Sequence, residues 1–265
     1  MLSRARSICG ALALCALALC AFGAASASAA AHLTAVECVK AGLGHKFESS
    51  HCETNGKEGE YETEVISGSF TAEGTSTSSS GGAETSRLSA SIGGANTIVT
   101  CGDAKTMGAG ENVAGGVTGK EITVTYSECH AVLKSNEART CNVEGITGGV
   151  GAGKVQTTKL KSSTTGVEHK VKFEPETPEL FTEFKILTTG TECFFGTAQT
   201  VAVTGSVEGE ANTTTHSHLT FTEANNGTLL RIGSKLGAIA HYTGTYGTWT
   251  TGLPEKTVGL TTFEP

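Results

Sequence analysis

Residues 148 to 155, GGVGAGKV, satisfy the G-x-x-x-x-G-K spacing with which a phosphate loop wraps a nucleotide. The next position is Val155, where such a loop needs Ser or Thr to hold magnesium. The segment KVQTTKL, from Lys154 onward, alternates as a strand does, whereas a phosphate loop opens a helix whose N–H groups converge on the phosphate. The chain's single aspartate, Asp103, sits near Cys101 with no hydrophobic strand ending on it, so the usual magnesium-binding partner is missing too. The stretch is therefore read as a glycine-rich turn in a β protein.

Other residue types that do chemistry are sparse. His216-Ser217-His218 puts two imidazoles on one strand face, a spacing that chelates metals, but no third ligand is evident and the face is the polar one opposite Leu219 and Phe221. His169 falls on an apolar strand face and reads as a hydrogen-bonded core histidine. Glu60, Glu62 and Glu64 share a face in GEYETEV, yet glycoside hydrolysis needs two carboxyls facing each other across a bond, and three in a row describe a solvated face. No G-x-S-x-G elbow occurs, a Ser-His-acid triad would depend on Asp103 or a glutamate, and one aspartate excludes an EF-hand loop. No catalytic residue, metal site or cofactor is expected.

The remaining candidates are aromatic. HYTGTYGTW, 241 to 249, gathers Tyr242, Tyr246 and Trp249, which makes it the first candidate for a ligand-binding surface, because exposed aromatics stack on sugar rings and other flat or apolar ligands. The alternative packs Tyr242 and Tyr246 into the core from one strand face, with Trp249 closing it, and that is the commoner fate of large aromatics.

The elements that would position these residues are strands. Threonine is the commonest residue, glycine is second at 35, and prolines number four, a composition that favours pleated strands and tight turns. In KEITVTYSE, Ile122, Val124 and Tyr126 take one face, and Thr123, Thr125 and Ser127 the other. VEHKVKF alternates similarly, placing Val167, His169, Val171 and Phe173 together, and YETEVISGSF, TIVTC, VQTTKL, FTEFKIL, QTVAVTGSV, GTLLRIG and GAIAHYTG supply further strands. Frequent turns between short strands predict an all-β fold, an antiparallel β-sandwich or barrel-like domain. Residues 30–70 are expected to form an N-terminal disulfide hairpin region, 71–86 a low-complexity loop, and 87–265 the main β domain.

The first 29 residues carry Arg4 and Arg6, an apolar run from Ile8 to Phe22 and a small-residue tail, the pattern of a secretory signal peptide. The run is too short and alanine-rich for a membrane anchor, and leucines precede Cys15 and Cys20 where a lipoprotein site needs a small residue. GLPEKTVG resembles a sortase signal but is interrupted by Lys256 and lacks an apolar tail. Without the signal, 19 basic residues become 17 against 26 acidic ones, a net charge of about −9. Nucleic acid and stable membrane insertion are accordingly excluded from the expected partners. Envelope polysaccharide or another surface protein remains.

Removing the signal leaves six cysteines, Cys38, Cys52, Cys101, Cys129, Cys141 and Cys193. An even number in an exported chain reads as disulfides, and no C-x-x-C pair supports zinc. Proximity favours Cys38–Cys52 and Cys129–Cys141, with Cys101–Cys193 as the long bridge. The order Cys101, VTGKEITVTYSEC, Cys141 with a glycine turn and KVQTTKL, then Cys193 with VAVTGSVEGE, resembles a group of uncharacterised secreted, threonine- and glycine-rich β proteins of soil actinobacteria. Cys38 and Cys52 with GKEGEYE are similar to the N-terminal part of that group. The resemblance implies secretion, β architecture and disulfides, and brings no activity with it. The expectation is a secreted or loosely envelope-associated protein that acts by interaction or structure, with glycan binding as the alternative and a glycoside hydrolase as the remoter one.

Overall fold

The computed structural model describes residues 32–50, 52, 55–76, 86–165, 169–177, 179–211, 219–222 and 230–233, and the backbone of 239–251 and 256–263. The signal peptide expected at 1–29, residues 77–85 and the His216–His218 pair lie outside them.

The described chain is strand almost throughout, without an α-helix. Its first half holds β1 His32–Phe47, β2 Asn55–Val65, β3 Ser69–Ser76, β4 Ser86–Ile92, β5 Ala95–Cys101, β6 Asp103–Val113, β7 Gly116–Ser127, β8 His130–Leu133 and β9 Asn136–Gly145. A 3-10 turn, Thr147–Gly149, leads into the short β10 Gly151–Ala152 and β11 Val155–Gln156. Then come β12 Leu160–Thr165, β13 Lys170–Pro175, β14 Leu180–Ile186, β15 Gln199–Gly205, β16 Val207–Ala211, β17 Leu219–Phe221, β18 Leu230–Ile232, β19 Ile239–Thr251 and β20 Lys256–Phe263. All pairings among these strands are antiparallel.

Two circuits of paired strands organise the fold, and both return to β19. One runs β19, β3, β6, β7, β12, β13, β16, β17 and back to β19. The other runs β19, β4, β5, β8, β9, β14, β15, β18 and back. Circuits of this kind leave no strand edge unpaired within the ring, the barrel-like solution to edge exposure. Beyond them, β20 extends the sheet from β19 to β1, and β1 pairs with β2. The region 30–70 is thus hydrogen-bonded into the same sheet as the rest, through β1 to β20 and through β3 to β6 and β19.

Local sequence accounts for much of this. Gly93 and Gly94, at φ 55° and 82°, make the two-residue turn between β4 and β5. Both positive values suit the primed turn whose twist matches that of paired strands. Alternation on β7 is realised as expected, with Ile122, Val124 and Tyr126 buried and Thr123, Thr125 and Ser127 half-buried. Val171 and Phe173 are likewise buried on β13.

Four expectations are corrected. Residues 71–76, read as loop, are strand β3, because Ala72, Gly74 and Ser76 alternate inward against β6. KVQTTKL is not one strand but two, broken at Thr158 and Lys159. The break lets Thr157 bridge to Thr182 while its Oγ1 accepts a 3.0 Å hydrogen bond from Val124 N, joining the two circuits across a buried polar seam. His169 precedes β13 in a turn at φ 54° and is half-buried rather than set in a strand face; its carbonyl accepts a 2.8 Å bond from Ala211 N.

The fourth correction concerns the cysteines. Cys38–Cys52 forms as expected, but the other bridges are Cys101–Cys129 and Cys141–Cys193, not Cys129–Cys141 and Cys101–Cys193. Strand register is the cause. The β6–β7 hairpin pairs Asp103 with Ser127, which brings Cys101 and Cys129 together just outside it, with Gly102 N donating to Ser127 O. The β8–β9 register sets Cys141 opposite Ala131 instead of Cys129. Thr140 N and Asn142 N donate to the carbonyls of Thr191 and Thr189, which carries Cys193 to Cys141.

Candidate functional site

The glycine motif at 148–155 is a turn. Gly148, Gly149, Gly151 and Gly153 all have φ between 65° and 80°, the left-handed region that glycine enters without strain. No helix comes after it; Val155 enters β11, pairs with Tyr126 and is buried. A phosphate would meet no helix N-terminus here.

The acidic and basic candidates are paired along the outside of the sheet. Glu60 meets Lys40 Nζ at 2.9 Å and Glu62 meets His45 Nδ1 at 3.0 Å, while Glu64 is exposed. Glu60 and Glu62 thus each face a basic side chain of β1 rather than a second carboxylate across a cleft. On β12 and β13, Glu174 lies between Lys172 at 2.7 Å and Lys161 at 3.3 Å. The hydrogen bond from Lys172, chiefly, holds the Glu174 carboxyl below its ordinary range despite an opposing effect of burial. Glu121 and Lys159, at 2.9 Å, shift each other likewise, the carboxyl down and the amine up. Asp103 opens β6 opposite Ser127. Among the described residues, no group of three or more His, Cys, Asp or Glu side chains is placed to hold a metal ion.

The three aromatic candidates fall on β19, the strand common to both circuits. Its backbone register sets Tyr242 opposite Leu88 of β4, Tyr246 opposite Leu219 of β17, and Trp249 opposite Gly74 of β3 and Val258 of β20. A register shift between Gly247 and Trp249 interrupts the alternation along the strand. Tyr242 and Tyr246 thus lie on the part shared with β4 and β17, and Trp249 on the part that β3 and β20 flank.

One feature escaped the sequence altogether. The first circuit encloses an apolar chamber lined by Phe70, Ala72, Val117, Ile122, Val171, Phe173 and Leu219 and floored by Gly108, Gly110 and Gly119. It contains ≈ 610 Å³ of atom-free space, part of it open to solvent. The glycines explain why this space survives. A β-carbon added at Gly110 would lie 2.5 Å from the Phe70 ring, its direct cross-strand partner, and one added at Gly108 would lie 2.7 Å from Ile122. On the far wall, Phe221 covers Gly209 in the same way, at 2.8 Å. Large side chains lie flat over glycines on the neighbouring strand, as aromatic residues do when they shield strand glycines, and so leave the middle of the ring unfilled. An interior with eight strands is just wide enough to be filled by side chains or to hold one small ligand.

Asn112 of β6 is the cross-strand partner of the lining residue Val117. Its Oδ1 accepts from Ala35 N at 2.8 Å, and its Nδ2 donates to Ala35 O at 2.9 Å and Ile66 O at 2.8 Å. Ala35, Ile66, Phe70 and Val117 form a small apolar cluster beneath that clamp. The second circuit has its own, smaller chamber, lined by Leu88, Val99, Tyr126, Phe184 and Leu230 among others.

Neither a family model, a curated protein nor a solved structure matches the chain. The fold and its bridges define an all-β, antiparallel, barrel-like protein stapled by three disulfides. Three disulfides mark an oxidising environment. No helix of the described residues is long and apolar enough to cross a membrane.

Proposed function

We propose that this is a secreted protein, free outside the cell or loosely held at its envelope, that works by non-covalent binding of another molecule rather than by catalysis. The observation that carries the reading is the chamber inside the first circuit, concave, apolar and built on rigid strands, the ordinary character of a small-molecule site. The disulfides support the extracellular setting, since they persist where thiols are not kept reduced. A second reading, recognition of envelope polysaccharide or a surface protein through Tyr242, Tyr246 and Trp249, is favoured by their gathering on the one strand that both circuits share.

Thermal unfolding of the oxidised chain lacking residues 1–29 tests both readings. The panel is the neutral apolar dye N-phenyl-1-naphthylamine, soluble envelope polysaccharides, calcium, zinc and ATP. A ligand at 100 times its dissociation constant adds about 2.7 kcal/mol. In a chain of this size that raises the midpoint by roughly 5–10 °C. A rise with the dye or a polysaccharide is expected. A rise with ATP alone, or with no member of the panel, would count against binding as the function.

A further inference from the structure

We infer that the chamber of the first circuit is a binding site for one neutral lipophile, a molecule whose aliphatic chain or fused rings lie against Ala72, Val117, Val171 and Leu219. This rests on the binding reading above and names the ligand class for it. Three observations converge. Among the described residues, no charged side chain lines the chamber, and the only side-chain polar atoms there are the hydroxyls of Thr118 and Ser162. An anionic or cationic head group would therefore lose its water there and gain no partner, a cost that an uncharged guest avoids.

The walls are also built to keep the space open. Phe70 lies over Gly110, Ile122 over Gly108, and Ser162 with Ile122 over Gly119, so the bulk of these side chains is seated on bare glycine backbone rather than in the middle of the chamber. Finally, the polar side chain beside Val117 is already satisfied within the protein: Asn112 bonds Ala35 and Ile66, which pack with Val117 and Phe70. The apolar body of the chamber is left free to meet an apolar surface. Removal of that surface from water supplies the driving force, and area rather than directed hydrogen bonds sets the selectivity. The site should accordingly discriminate by size and charge, and tolerate changes of chemical detail in an uncharged guest.

The test titrates the oxidised chain lacking residues 1–29 with N-phenyl-1-naphthylamine and monitors its fluorescence. Saturable binding of one dye per chain is expected. Ser162→Leu and Ala72→Leu, each projecting new volume into the chamber, should weaken binding at least tenfold while the far-ultraviolet circular dichroism stays unchanged. Full affinity in a folded variant would overturn the proposal.

Because a filled variant can fail to fold, the unaltered protein is also irradiated with an uncharged alkyl diazirine and digested. Adducts on peptides carrying residues 70–72, 108–119 or 162–173 are expected. Adducts confined to the second chamber, around Leu88, Val99 and Phe184, or to the outer surface, would overturn the assignment. If a polysaccharide stabilises the protein while dye and diazirine do not bind, the lipophile falls and the binding function stands; if nothing binds, both fall.

Discussion

Two buried threonines show how the same residue type takes opposite roles. Thr106 of β6 is 2% exposed, and its hydroxyl has no hydrogen-bond partner among the described residues. Thr157 is equally buried, but its hydroxyl accepts from Val124 N at the seam between the circuits. An unpaired buried hydroxyl carries its desolvation cost with no return, whereas removing an acceptor strands the donor that used it. Thr106→Val should therefore be neutral or stabilise by up to about 1 kcal/mol, and Thr157→Val should destabilise by about 1–2 kcal/mol. Urea unfolding of the two variants beside the parent checks the sign of each. Equal effects would mean that the seam hydrogen bond contributes little.

At the scale of elements, the strands are decorated outside with ion pairs that face water and set pH behaviour rather than fold. Glu174 links β12 to β13 through Lys161 and its own-strand neighbour Lys172. Its folded-state pKa is lowered, so the stabilisation it brings is present above the ordinary carboxylate value and is lost as pH falls through the folded value. The contribution is small, because the group is solvent-screened. In Glu174→Gln the midpoint should differ from the parent near neutral pH, and the difference should shrink as the solution is acidified below the carboxylate range. A difference that grows on acidification would contradict this assignment of charge partners. The turns act more sharply than the ion pairs. GGVGAGKV ends β9 and delivers Val155 to β7 only because its four glycines adopt left-handed backbone.

For the whole molecule, the disulfides close loops of increasing length, 14, 28 and 52 residues. In the chain-entropy model the longest constrains the unfolded chain most, so removing Cys141 and Cys193 together should cost about 4 kcal/mol. That would be seen as a fall in the urea midpoint. Non-reducing peptide mapping should recover Cys141 joined to Cys193 and Cys101 joined to Cys129. A Cys129–Cys141 peptide from native protein would contradict the strand register itself. Both circuits use β19, and one core cluster joins Leu160, Val171 and Phe173 of the first to Val99, Phe184 and Val203 of the second. The chain should therefore unfold as one unit, with the seam at Thr157 and Thr182 opening only when the circuits do.

The class of fold and the local geometry are legible in neighbouring residues alone. Period-two alternation at Ile122, Val124 and Tyr126, glycine turns and an even set of cysteines are properties of neighbouring residues, and neighbouring residues fix strand, turn and redox chemistry. They also identify Cys38–Cys52, whose partners belong to the β1–β2 hairpin and the turn within it. Tertiary structure decided everything that depends on which strands are neighbours in space. Of the two longer disulfides, Cys101–Cys129 arises from register between β6 and β7 and Cys141–Cys193 from a loop that returns 52 residues later, neither of which is encoded in spacing. The chamber is the clearest case. Gly110 and Phe70 stand 40 positions apart and carry no joint signal in the chain; only the β3–β6 pairing lays one over the other, and only closure of the circuit turns a row of glycines into a space.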